Sequence, residues 1–258
     1  MQSRTCKFYI ISKLSEHKVY SQTLKQKKLK KDNLLIEDYI ENSDLSNDDA
    51  GDDHISTGLE TPMKKDSIAM SDKEKKVKIS HLFKEIMDVL GLDLSDDSLK
   101  DTPNRVAKMY IEEIFSGLNP ANKPKISLFE NKYRYKQMLV EKDITFYSNC
   151  EHHFVPFTGK AHVAYVSSGK VIGLSKLNRI VQYYAKRPQV QERLTNQIAE
   201  DLKEILNTND VAVIIDAKHL CVSSRGVKDN TSSTITSYYG GIFEDSAKIT
   251  ELQNYINK

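Results

Sequence analysis

Cys150-Glu151-His152-His153 gathers a thiol, a carboxyl and two imidazoles into four consecutive residues. Thiolate and imidazole are the ligands Zn²⁺ prefers, and a two-residue spacer lets Cys150 and His153 close on one ion from a single turn. A second concentration, His219-Leu220-Cys221, lies far along the chain. In an extended segment, side chains two apart project from one face, so His219 and Cys221 are expected to point the same way. If that face meets the turn, Cys221 is a third ligand. Three protein ligands plus water describe a catalytic zinc site, whereas structural zinc normally takes four protein ligands. Two other readings stand beside it: a closed structural site with His152 or His219 as fourth ligand, and a pair of inert buried cysteines with satisfied histidines. The surplus of histidines favours the catalytic reading. An open zinc brings the pKa of bound water to about 7, and histidines titrate in the same range, which suits His152 and His219 to carrying protons to a leaving group. Such a set implies hydrolysis of a carbon–nitrogen or carbon–oxygen bond.

A second group of residues suits an anion. Gly173-Leu174-Ser175-Lys176-Leu177-Asn178-Arg179 opens a helix with a hydroxyl, an ammonium and a guanidinium. Ser175 and Arg179 are four apart, on one face, and helix N-terminal amides attract phosphate. An N-cap serine with surface basic residues gives the same string. Arg225 follows the second metal-binding stretch closely and offers a bidentate clamp. Arg105 and Lys108, three apart, share a helix face and read as surface charge or as a further anion grip. Gln191-Glu192 opens another helix. A carboxylate there can accept from the N–H and NH₂ edge of a guanine-like base, although complementarity to the helix dipole explains it as well.

These groups need elements to hold them. Ile79, Leu82, Phe83, Ile86 and Leu90 recur at helical spacing, with Gly91 placed to end the helix. Thr102-Pro103 signals a second helix, running through Val106, Met109, Tyr110 and Ile114 to about Gly117. From about Met138 the texture is that of strands. One leads into the Cys-Glu-His-His turn, and the next spans Phe154 to Val166 with a bend at Thr158-Gly159. Two helices follow, one carrying Leu177, Ile180, Val181 and Tyr184, the other opened by Pro188 and carrying Val190, Leu194, Ile198, Leu202 and Ile205. Val211 to Ile215 reads as a strand, His219 to Val222 continues extended, and Thr234 to Tyr239 forms the last strand, stopped by Gly240-Gly241. The order is α+β, with a pair of helices on one face of an antiparallel sheet.

Composition sets the outer bounds. Charged residues nearly cancel, to a formal net charge of +2, which gives no global reason to expect nucleic acid or a membrane as partner. No apolar run approaches the roughly 20 residues needed to span a bilayer. Cys6, Cys150 and Cys221 are too few and too odd in number for a secreted disulfide framework, which points to a reducing compartment. The expected location is cytoplasmic, or organellar if residues 1–31 act as a transit peptide. Residues 1–73 segregate a lysine-rich run from an acidic tract and read as a disordered extension. His17, His54 and Cys6 lie in that segment without metal spacing.

Together the motifs resemble GTP cyclohydrolase I, in order and in spacing. The residues that carry the likeness are Cys150 to Phe154, Gly173 to Arg179, Arg187 to Leu194, His219 to Cys221, Thr102 to Tyr110 and Glu113 to Leu118. The resemblance runs from about Gly58 to the C-terminus and makes residues 74–258 the catalytic domain, with a helical part at 74–118 and a tunnelling-fold part at 138–258. In that fold the sheets of several subunits join into a barrel, and the resemblance implies a homodecamer with active sites at subunit interfaces. It also implies conversion of GTP and water to 7,8-dihydroneopterin triphosphate and formate, the first step toward folate or biopterin. By position, Cys150, His153 and Cys221 match the ligands of one Zn²⁺ per subunit, and His152 and His219 the catalytic histidines. Ser175, Lys176, Arg179 and Arg225 match triphosphate contacts, with Arg105 and Lys108 added. Gln191 and Glu192 match the guanine-recognition pair. Two competitors are a zinc-stabilised non-catalytic homologue and a nitrile reductase of the same fold, whose cysteine nucleophile does not sit in a Cys-Glu-His-His turn.

Overall fold

Ser71 and Glu74 close a capping box: the Ser71 hydroxyl accepts from the Glu74 N–H while the Glu74 carboxylate accepts from the Ser71 N–H. This starts helix α1 (Asp72–Val89), which ends just before Gly91 at φ +75°. The computed structural model describes residues 58–65 and 70–258, so most of the expected extension lies outside the described residues. Helix α2 (Thr102–Lys108) packs on α1, with Pro103 buried in its first turn, and continues over Met109–Ile114 as a wider π-helical segment.

A five-stranded sheet forms the centre. Its strands are β2 (Leu139–Cys150), β3 (Pro156–Tyr165), β5 (Pro188–Gln189), β6 (Val211–His219) and β7 (Thr234–Tyr239), in the order β5-β2-β3-β6-β7. All pairs are antiparallel except β5, which runs parallel to β2 with Cys150 opposite Gln189. Strands β1 (Leu128–Glu130) and β4 (Lys170–Ile172) make a separate ribbon. Helices α3 (Leu174–Ala185) and α4 (Gln191–Leu206) cover one face of the sheet. Leu177, Ile180, Val181, Leu194, Ile198 and Leu202 are buried there against Phe146, Phe157, Val163 and Ile215. Each such side chain contributes about 1.5–3 kcal/mol on burial.

Three expectations are corrected, and one helix is added. Thr158-Gly159 is not a bend: β3 runs straight through it, and a Cβ on Gly159 would lie 2.0 Å from the Asp216 carbonyl oxygen, so the glycine serves close strand approach. Pro188 does not open a helix; it pairs in β5, and α4 begins at Gln191 after Val190 in an extended conformation. The segment after His219 is not extended, because Leu220–Ser223 turn into the short helix α5. A last helix, α6 (Ser246–Ile256), capped by the Asp245 carboxylate, packs Leu252 against the opposite face of the sheet near Met138 and Phe243. No element was expected there, although Ile249, Leu252 and Ile256 recur at helical spacing.

Candidate metal centre and active site

Strand β2 delivers Cys150 to the end of the sheet, and the chain turns back at once. The Cys150 N–H donates to the Val155 carbonyl at 2.9 Å, and the Phe154 N–H donates to the Cys150 carbonyl at 2.8 Å. Phe154 takes a left-handed φ of 54° and lays its ring 5.1 Å from that of Phe115. The turn is tied down twice more. The Glu151 N–H donates to the Gln189 carbonyl in β5, and the Glu151 carboxylate pairs with both Nη atoms of Arg193, a buried residue of α4. Glu151 had no assignment from sequence, and its partner is 42 residues away. The Arg193 Nε also donates to the Gly58 carbonyl at 2.9 Å.

Strand β6 brings the second half. Its last residue, His219, stands opposite Phe157 of β3 and stacks on that ring, with centroids 4.6 Å apart and planes within 5°. Helix α5 then swings Cys221 toward the turn. The ligand atoms of Cys150, His153 and Cys221 lie within 4.8 Å of one another, the group of three such residues found among the described residues. Neither cysteine is in a disulfide. Burial, with the Cys150 thiol beside it, pushes the Cys221 thiol up to about 11. A cation that takes Cys221 as thiolate must therefore displace its proton, as metal binding at cysteine generally does. Two thiols and an imidazole converging at this distance fit Zn²⁺.

The sequence-predicted histidines flank the cluster. His152 sets Nδ1 3.6 Å from the Cys150 sulfur, with Nε2 3.9 Å from Glu151. Burial holds the His219 pKa below 6.5, against the opposing pull of Glu192. The Arg225 Nη1 donates to His153 Nε2 at 2.8 Å. Gln191, in contrast to Glu192, is buried, and its side-chain amide is engaged within the protein.

Of the residues expected to hold an anion, Arg225 stands at the cluster and the others lie elsewhere in the same chain. Ser175 and Arg179 are exposed and Lys176 half-buried on the first turns of α3. The neighbouring Asn178 donates to Glu141, near the start of β2, at 3.0 Å. Nine residues of strand separate Glu141 from Cys150, roughly 30 Å at about 3.3 Å per residue. Arg179 lines a cleft of about 250 Å³ with Gly117, Gln182 and Lys186 instead. Arg105 and Lys108 are exposed on α2. One chain therefore unites the candidate metal ligands and the two histidines but does not bring the Ser175–Arg179 group to them.

Comparison with known proteins agrees with this architecture. The family model of GTP cyclohydrolase I matches residues 79–257. A GTP cyclohydrolase 1 from Flavobacterium johnsoniae is 58% identical over 217 residues, covering 84% of this chain and 97% of the relative. Those from Vibrio parahaemolyticus and Citrobacter koseri are 57% and 55% identical, over 73% and 74% of this chain and 86% of each relative. The chain belongs to the GTP cyclohydrolase I family of enzymes. No helix among the described residues is long and apolar enough to cross a membrane.

Proposed function

We propose that the protein converts GTP and water to 7,8-dihydroneopterin triphosphate and formate, with one Zn²⁺ per subunit held by Cys150, His153 and Cys221. The observation that carries this reading is the convergence of those three side chains within 4.8 Å, with His152 3.6 Å from one of the thiols. A zinc ion bound there supplies an activated water for attack on the purine ring carbon C8. His152 and His219 move protons to and from the ring nitrogens as the carbon–nitrogen bonds break. Glu192 accepts from the N–H and NH₂ edge of guanine. Ser175, Lys176, Arg179 and Arg225 hold the triphosphate, with Arg105 and Lys108 beside them.

The roughly 30 Å between the Ser175–Arg179 group and Cys150 of one chain, by the strand geometry above, supports an active site completed by a neighbouring subunit. Two further features support ring assembly into a barrel and a homodecamer. β7 is an edge strand with Ile235 exposed, and an unpaired edge invites another strand. Helix α1 leaves Val77, Leu82, Ile86 and Val89 exposed.

Purified protein incubated with GTP is expected to release formate and to develop pteridine fluorescence, and a chelator is expected to abolish both. Turnover that survives complete removal of zinc would sink the metal-dependent reading. His219→Ala is expected to keep zinc stoichiometry and lose turnover; loss of the metal in that variant would make His219 a ligand.

A further inference from the structure

The first residue of α4, Gln191, is 2% exposed. Its Nε2 donates to the backbone carbonyls of Ile215 in β6 at 3.1 Å and Thr234 in β7 at 2.8 Å, and it lies 3.2 Å from Thr236 Oγ1. Carbonyl oxygens only accept, so these two contacts fix which end of the amide is nitrogen. A flipped amide would set its oxygen against two carbonyl oxygens. The remaining end, Oε1, meets His219 Nε2 at 2.8 Å. An amide oxygen has lone pairs and no hydrogen, so the ring nitrogen facing it must carry one. In the neutral ring the lone pair is then on Nδ1.

We propose that Gln191 is a positioning residue that sets the tautomer and in-plane orientation of His219, not a reader of the guanine edge. The inference rests on His219 acting on the substrate, as proposed above. Phe157, fully buried, fixes the plane of the ring by stacking; Gln191 fixes its rotation and presents Nδ1 as the nitrogen that can take a proton. Both groups of the Gln191 amide are consumed in this clip, so recognition of the base edge falls to Glu192, which is exposed. The clip also spans β6, β7 and α4, so the histidine is referenced to three elements at once.

Two measurements test this. Magic-angle-spinning ¹⁵N NMR of histidine-labelled protein, assigned with His219→Gln, is expected to show His219 Nε2 with the shift of a protonated ring nitrogen and Nδ1 with that of a bare one. The opposite pattern in the unsubstituted protein overturns the proposal whatever its activity. Gln191→Met keeps length and volume but offers no acceptor. It is expected to lower kcat roughly 10- to 100-fold, part of the about 10²–10⁴ that positioned proton transfer supplies, with KM for GTP changed less than about twofold and zinc content retained. A raised KM at unchanged kcat in Gln191→Met is the mark of base recognition and would refute positioning. Should the unsubstituted enzyme not turn over GTP, the proposed function fails while the tautomer result still stands or falls by the spectrum.

Discussion

Glu151→Ala removes one side of an ion pair whose other side has nowhere to go. The Arg193 side chain is 3% exposed and that of Glu151 19%. After truncation the guanidinium keeps the Gly58 carbonyl but loses both carboxylate oxygens. Breaking a buried pair from one side typically costs about 3–5 kcal/mol. Because Glu151 is partly solvated, the lower end applies, about 3 kcal/mol, or about 6–12 °C in Tm for a domain of this size. The assay is thermal unfolding at one protein concentration, with Asp97→Ala as control. Its partner Lys100 is half exposed and Asp97 nearly fully so, which limits that pair to roughly 0–1 kcal/mol. The double variant Glu151→Leu/Arg193→Met is expected to recover much of the loss, since two apolar groups can replace a buried pair. Zinc retention in a chelator competition should also weaken, about 10-fold, because the pair anchors the turn between two ligands. A Glu151→Ala protein that melts with the surface control, or a double variant that merely adds two losses, would refute the reasoning.

Two further outcomes follow from residues away from the metal. Burial holds the His162 imidazole below its ordinary 6.5, ahead of the opposing pull of Asp143, with Lys142, Asp216 and Lys160 also facing it. The unfolded chain therefore binds the proton first. Stability from this group is complete above about pH 6.5 and is lost as pH falls toward the lowered folded value. The substitution His162→Asn keeps an acceptor for the Asp143 N–H, which His162 Nδ1 now accepts at 3.2 Å, and is expected to flatten the fall in Tm between pH 6.5 and 5. Gly117→Ala would place a Cβ 2.1 Å from the Tyr183 carbonyl oxygen and 2.7 Å from that of Lys186. Overpacking costs about 1–3 kcal/mol where side chains can yield; here backbone must move, so chemical denaturation should show a loss of about 3 kcal/mol or more.

The elements with a local code were legible in the sequence. Most of the expected apolar stripes of α3 and α4 are buried, with Tyr184 and Ile205 half-buried and Val190 just ahead of α4, since an amphipathic period reports on burial. Cys150 and His153 were legible as a pair because one turn holds both. What the sequence hid were pairings between distant segments. Pro188 reads locally as a helix start; its place in β5 depends on β2 lying alongside, at Asn149 and Cys150. Leu220-Cys221-Val222 has the β-branched, apolar texture of a strand, yet it coils once the sheet edge is passed. The same holds for side chains. Gln191 and Glu192 are adjacent and look alike in sequence, but one is buried in a clip and the other faces solvent.

These long-range pairings converge on one short segment. Gln189 in β5 accepts from the Glu151 N–H, Gln191 holds His219, and Arg193 holds the Glu151 carboxylate. The two halves of the metal centre come from strands β2 and β6, which are not neighbours in the sheet, as β3 separates them. Strand pairing alone therefore sets only their rough spacing. Residues 189–193 touch both halves directly, the β2 turn through two of them and the β6 end through a third. An extended segment feeding a helix N-terminus suits this task, because the Gln189 backbone carbonyl meets the turn while the first turn of the helix sends Gln191 and Arg193 to different partners. Register between Cys150 and Cys221 is thus set by α4's entry. For that reason, removing the Arg193 guanidinium should weaken zinc affinity and removing the Gln191 amide should slow proton transfer at unchanged zinc content, whereas substitutions farther along α4 should register as stability alone.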